Sequence, residues 1–161
     1  MPRITPCLWF DKEAEQAAHF YASIFRNSSV GKVTRYTDAD YPGGPESDPG
    51  KVLTVDFELD GQKFTSINGG PIFPFTEAVS FVVDCQDQAE VDYFWDALLK
   101  GGTESQCGWL KDQFGLSWQI VPAELYALTG DPDPAKARRA TEAMLKMVKL
   151  DIAKLKEAHA G

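Results

Sequence analysis

HFYASIF at residues 19–25 and YFWDALL at residues 93–99 are the stretches whose reading decides the fold. Laid one on the other, they match aromatic to aromatic at their second and third positions and apolar to apolar at their last two. Each belongs to a longer apolar stripe at helical spacing. The first is Ala14, Ala17, Ala18, Tyr21, Ile24 and Phe25, and the second is Val91, Phe94, Trp95, Leu98 and Leu99, which predicts one amphipathic helix in each half of the chain. A strand-like run precedes each helix, Ile4 to Phe10 and Val79 to Val83. Asp11 is read as the cap of the first helix, and Asp87 with Glu90 as a capping-box-like start of the second, which Gly101-Gly102 ends. The match is therefore an internal duplication.

The rest of each half follows from turn chemistry. Ser29 to Thr37 alternates in part, and Asp38 to Gly50, dense in Asp, Pro and Gly, reads as a loop able to cover a cleft. Asp60-Gly61 between Val52–Leu59 and Lys63–Asn68 is a two-residue hairpin signal, because both residues tolerate the positive φ of a type I′ turn. In the second half, Asp112-Gln113-Phe114-Gly115 turns the chain into a last strand, Leu116 to Val121, closed by Pro122. Each half alone leaves an apolar sheet face uncovered, so the halves are expected to share a core. Strands with helices on one side make an α+β class, and a ligand is expected on the shared concave sheet.

With 161 residues, 43% hydrophobic and 12% aromatic, the chain suits one domain with a single core. The expected layout is one domain over 1–161, with module one at 1–76, module two at 77–122 and a helical tail at 123–161. No apolar run approaches bilayer-spanning length and the start lacks a secretory signal pattern, so a cytoplasmic location and no membrane partner are expected. Cys7, Cys85 and Cys107 are odd in number and lack CxxC spacing, which supports neither a disulfide framework nor a zinc knuckle. Pro134 to Gly161 carries seven Lys/Arg against three Asp/Glu, while the preceding residues carry nine against 21. So acidic a body would repel phosphates, which argues against nucleic acid. The basic tail, started by Asp131-Pro132-Asp133-Pro134, reads as a docking helix whose counter-charge lies on its own domain or on a second subunit. Its stripe is Thr141, Leu145, Val148, Ile152 and Leu155.

Several segments together resemble a known family: Ile4 to Phe10, Ala18 to Phe25, Gly61-Gln62-Lys63-Phe64 with Asn68-Gly69-Gly70-Pro71, Cys107 to Asp112, Phe114 to Pro122, and Met144 to Met147. The family is that of bacterial proteins labelled 3-demethylubiquinone-9 3-methyltransferase domain, grouped with PhnB-like proteins in the glyoxalase/bleomycin-resistance/dioxygenase, or vicinal oxygen chelate, superfamily. The resemblance implies two βαβββ modules forming a cup-shaped mixed sheet, plus a C-terminal helix, usually in a homodimer. It does not imply one chemistry, since the superfamily spans isomerases, dioxygenases, thiol transferases and drug-sequestering proteins.

Metal-dependent relatives place His, Glu or Gln on the first and last strands of each module, because a divalent ion needs three or four converging N/O donors. Those strands offer here Thr5, Cys7 and Trp9, then Phe64, Ser66 and Asn68, then Ala78 or Ser80, and finally Gln119. Of these, only Gln119 is a suitable ligand type at its place, so neither metal nor other cofactor is expected. His19 lies on a flank away from the Tyr21 stripe, and His159 in the last turns of the tail, where a cation suits a helix C-terminus. Cys7 can be a nucleophile or a core residue, but an apolar strand supplies nothing to lower its pKa. Trp9, Trp109 and Trp118 can line an apolar pocket or pack the core. Ser66, Asn68, Ser80 and Gln119 are the polar residues expected to face a cleft. Asn68-Gly69-Gly70-Pro71 follows a hairpin strand with no helix after it, unlike a cofactor-binding glycine loop, which sets aside the methyl transfer in the family label. The sequence thus points to a homodimeric protein binding a small, partly apolar molecule between modules through Cys7, Trp9, Ser66, Asn68, Ser80, Trp109 and Gln119, without metal. The alternative is a small-metabolite enzyme.

Overall fold

In the computed structural model, which describes residues 3–38 and 48–161, the first half runs β1 (Cys7–Phe10), α1 (Ala14–Ile24), β2 (Ser29–Arg35), β3 (Val52–Leu59) and β4 (Gln62–Asn68). The second runs β5 (Ser80–Cys85), α2 (Gln88–Leu98), β6 (Thr103–Glu104), β7 (Trp109–Lys111) and β8 (Ser117–Pro122). Three helices follow: α3 (Glu124–Thr129), α4 (Pro134–Met144) and α5 (Ile152–Ala160). The chain divides into two compact units, Met1–Phe75 and Thr76–Gly161. Their four-stranded sheets have equivalent orders, β1-β4-β3-β2 and β5-β8-β7-β6, and in each the first strand runs parallel to the last. Two mixed open sheets of βαβββ connectivity are the α+β fold that the duplication predicts. Most of the loop expected at 38–50 lies outside the described residues.

The duplicated positions occupy equivalent places. Tyr21 and Trp95 are both enclosed, as are Ile24 and Leu98, while His19 and Tyr93 are both exposed. In the first unit, α1 covers the sheet face carrying Val55, Phe57, Leu59 and Phe64. Phe57 and Phe64 stand opposite each other across the β3–β4 pair, their rings stacked with centroids 5.1 Å apart. The turn between them takes positive φ at Asp60 (45°) and Gly61 (83°), which a two-residue connection matched to strand twist requires. In the second unit the equivalent face carries Phe81, Val83, Leu110, Trp118 and Ile120. Enclosing such side chains contributes roughly 1.5–3 kcal/mol each, and this sets strand register.

The starts of the two helices differ. Asp87 accepts from the Glu90 N–H (2.9 Å) as expected, and the Glu90 carboxylate reaches back to the Gln86 N–H (2.8 Å). Asp11, however, does not cap α1. The N-cap is Glu13, which makes no side-chain cap, and the Ala14 N–H is instead satisfied by Asn68 Oδ1 from β4 (2.9 Å).

The tail is not one helix. Between α4 and α5 the chain leaves helical geometry, and the Met147 and Val148 carbonyls accept from the Cys107 and Gly108 N–H groups (2.8 and 2.7 Å). The Gln88 amide clamps the far side, donating to the Leu150 carbonyl (3.2 Å) and accepting from the Ile152 N–H (2.9 Å). Asp151 then caps α5 through the Lys154 N–H. The proposed stripe is therefore interrupted: Leu145 is exposed, whereas Ile152 and Leu155 are buried, and Leu155 joins Val121, Leu125 and Leu150 in one cluster. The tail finds counter-charge on its own unit, through Lys149 with Asp92 (2.8 Å) and Lys156 with Glu124 (2.7 Å).

Candidate functional site

Strand alternation gives each sheet one face under its helix and one face away from it. In the second unit, the face away from α2 is a two-row grid read across β5, β8 and β7. One row is Ser80, Ser117 and Lys111, and the next is Val82, Gln119 and Trp109. The Gln119 amide and the Ser80 hydroxyl are bonded at 2.9 Å, which joins the rows and fixes both side chains. Val82 is 48% exposed, and Trp109 and Gln119 are half-buried. Lys111 Nζ pairs with the carboxylate of Glu77, in the segment before β5, at 2.5 Å. This pairing lowers the Glu77 pKa, chiefly through the hydrogen bond from Lys111. The face thus presents a hydroxyl, a carboxamide, an indole and an isopropyl group, with the buried hydroxyl of Ser117 within its first row and a neutralised ion pair at its margin.

The first unit has a corresponding face, with Cys7, Thr65 and Asp56 in one row and Trp9, Ile67, Thr54 and Thr34 in the next. The Thr34 and Thr54 hydroxyls are bonded at 2.5 Å. Trp9 is held in place: its Nε1–H donates to the Gly70 carbonyl (2.9 Å), and its ring meets Phe73 edge-on at 5.0 Å. It lies so close over Gly69 that a Cβ there would fall 2.1 Å from the ring. The Asn68-Gly69-Gly70-Pro71 segment is thus the seat of Trp9. Cys7 is exposed, yet partial burial of its thiol raises the pKa, the wrong direction for a nucleophile at neutral pH.

Of the residues singled out in the sequence, Ser80, Trp109 and Gln119 come together on one face, and Cys7 and Trp9 share the equivalent face of the other unit. Ser66 and Asn68 do not join them. They follow Phe64 at period two onto the face covered by α1, where both are buried. There Ser66 donates to the Val55 carbonyl (3.0 Å). Asn68 donates to the Val52 carbonyl (3.2 Å) while capping α1, and the Tyr36 hydroxyl donates to the Asn68 carbonyl. Trp118 is likewise core, packed on Phe81, with its Nε1–H donated to Asp112 Oδ2 (2.9 Å). His19 is exposed, and His159 Nε2 meets Asp131 Oδ2 at 2.8 Å. The residues of the second face not anticipated from sequence are Val82, Lys111 and Ser117. Alternation with Trp118 and Ile120 was the signal available for Ser117.

The donor chemistry of these faces does not fit a divalent metal. The first face offers Cys7 and Asp56, two strands and about 10 Å apart with Thr65 between them. In the second grid the only N/O ligand of suitable type is Gln119, and its single amide oxygen, the nitrogen being donated to Ser80, falls short of the three or four donors a divalent ion needs. Among the described residues no group of three His, Cys, Asp or Glu side chains is placed to hold a metal ion.

Residues 2–121 match the family model described as 3-demethylubiquinone-9 3-methyltransferase. A Bacillus cereus PhnB protein described as such a methyltransferase is 32% identical, with a TM-score of 0.66 over 76% of this chain and 100% of its own. A Pseudomonas aeruginosa protein, PA1353, superposes at TM-score 0.62 with 18% identity over 76% and 98% of the two chains. FosX from Listeria monocytogenes, a fosfomycin resistance protein whose structure holds Mn(II) and sulfate, gives 0.52 with 14% identity over 78% and 92%. No curated protein matches the sequence. The family model stops at β8, so α3 to α5 lie beyond it. Among the described residues no helix is long and apolar enough to cross a membrane. The duplicated βαβββ units, the match over three quarters of the chain and the Bacillus cereus relative establish that this chain belongs to the 3-demethylubiquinone-9 3-methyltransferase family, PhnB-like members of the vicinal oxygen chelate superfamily.

Proposed function

We propose that this chain binds a small, partly apolar molecule, without a metal, on the face of the second sheet turned away from α2. One observation carries the reading: Val82 and Trp109, an aliphatic and an aromatic side chain both open to contact, flank the hydrogen-bonded Ser80–Gln119 pair in a single layer. Binding sites for small organic molecules commonly combine apolar walls with a few fixed polar groups. Here the indole supplies area with few rotatable bonds, and the paired amide and hydroxyl supply direction. Titrating 15N-labelled protein with 1-naphthol tests this. The expected result is chemical-shift change centred on Ser80, Val82, Gln119 and the Trp109 indole N–H. No binding, or shifts elsewhere, contradicts it.

The methyl transfer in the family's description gains no support from these residues. The glycine pair after β4 seats Trp9, and β1 passes into α1 through a helix start already occupied by Asn68, so neither place is a cradle for a nucleoside cofactor.

A further inference from the structure

Ser117 stands at the middle of its row, between Ser80 on β5 and Lys111 on β7. It is 1% exposed, and among the described residues its hydroxyl is the only buried side-chain polar atom without a hydrogen-bond partner. A buried hydroxyl left unpaired costs free energy, so such a group needs a reason to be there. Its row neighbours and the adjacent turn carboxylate are paired elsewhere. Ser80 is bonded to Gln119, Lys111 to Glu77, and Asp112, next to Lys111 in sequence, accepts from Phe114, Leu116 and Trp118. Period two on β8 puts the Ser117 side chain on the Gln119 face, and its row neighbours Ser80 and Lys111 are both part-exposed.

The charge state of this neighbourhood selects the ligand. The groups around Ser117 on that face are a hydroxyl, a carboxamide and an indole, and the lone cation is already neutralised by Glu77. An anion placed here would be stripped of water without gaining an unpaired counter-charge, which is costly. An uncharged carbonyl or hydroxyl pays much less and finds a partner in Ser117.

We propose that the ligand of this face is an uncharged ring compound whose carbonyl or hydroxyl hydrogen-bonds the Ser117 hydroxyl while its ring lies against Trp109 and Val82. The inference rests on the reading of this face as the ligand site and adds to it the ligand's charge and its polar anchor.

The test compares 1-naphthol with 1-naphthoate at pH 7, two probes with the same ring and different charge, on the full chain and on Ser117→Ala, by NMR titration and urea unfolding. 1-Naphthol is expected to bind at least about 10-fold more tightly than 1-naphthoate. Ser117→Ala should weaken 1-naphthol about 5- to 15-fold while leaving stability unchanged or raised, because it removes an unpaired hydroxyl. Equal or tighter binding of 1-naphthoate on this face overturns the charge assignment. An unchanged 1-naphthol affinity in Ser117→Ala overturns the anchor and leaves the hydroxyl as a water-binding or packing feature. Failure of both probes to shift Trp109 and Gln119 rejects the binding face itself, and the inference with it.

Discussion

Asp112 ties the β7–β8 turn to the core of the second sheet. It is 3% exposed, and its carboxylate accepts from the Phe114 N–H (2.8 Å), the Leu116 N–H (3.1 Å) and the Trp118 Nε1–H (2.9 Å). Those bonds close the β7–β8 turn and anchor the indole at the centre of the core, and the turn sets the register that places Trp109 opposite Gln119. Asp112→Ala leaves three donors without their acceptor. Two belong to buried Leu116 and Trp118, at roughly 1–3 kcal/mol each, so the expected loss is about 3–5 kcal/mol, a large part of a typical domain's 5–15 kcal/mol. Asp112→Asn can keep the two backbone bonds but turns an N–H toward the indole N–H, for an expected loss of about 2 kcal/mol. Trp118→Phe removes that donor, so Asp112→Asn should cost at least about 1 kcal/mol less in the Trp118→Phe background. Urea denaturation of the four proteins measures the cycle. A loss under about 1 kcal/mol for Asp112→Ala, or no coupling between Asp112→Asn and Trp118→Phe, would refute this reasoning.

Three further outcomes follow from the geometry. Gly69→Ala drives a methyl group into the Trp9 indole and should cost about 1–3 kcal/mol, with much of it recovered by Trp9→Leu; equal cost in both backgrounds would show that the contact with Trp9 is not the cause. Cys85, fully buried with its thiol pushed up to about 12 by desolvation and then by Glu90, Asp84 and Asp87, should resist a thiol-specific reagent at pH 8 until the protein unfolds, whereas exposed Cys7 reacts in the native state; rapid native labelling of Cys85 would contradict the enclosed core. The Asp92 pKa is lowered, first by the hydrogen bond from Lys149 and then by that from Gln88, so its contribution is full above the ordinary carboxylate range and is lost as pH falls through the depressed folded-state value. Because both partners are more than a third exposed, Asp92→Asn should reduce the stability difference between pH 7 and pH 2.5 by no more than about 0.5 kcal/mol, and a change of several kcal/mol would mean a buried pair.

The two halves were legible in the sequence because their signals are redundant. Tyr21 and Trp95 repeat one helix position, and the Asp60-Gly61 turn leaves little choice of pairing. On β8 the sequence placed Gln119 toward a cleft with Ser80 but left Trp118 open between pocket and core; strict alternation settles it, since Trp118 and Ile120 share the side opposite Gln119. On β4 the same logic was available, since Phe64 faces Phe57 across the hairpin and Ser66 and Asn68 share its side. Their polarity suggested a cleft, but backbone groups that no local pattern reveals use them internally: the start of α1 for Asn68 and the Val55 carbonyl for Ser66. The break in the tail was hidden for a similar reason. Helical periodicity runs on through Leu145 and Val148, and what interrupts it is pairing with the Cys107-Gly108 turn and the Gln88 clamp, both distant in sequence. Asp112 belongs to one of the segments that carry the family resemblance, yet only its three hydrogen bonds show what it does.

The proposed site on the face of the second sheet turned away from α2 holds its ligand by neutral side chains without a metal. Its most direct test is the affinity for 1-naphthol, followed at the Trp109 indole N–H, in protein as purified, after exhaustive EDTA dialysis, and after adding back Mn(II), with elemental analysis of each sample. The account predicts the same Kd in all three and no stoichiometric divalent ion in the first. Binding that disappears with EDTA and returns with Mn(II) would contradict it.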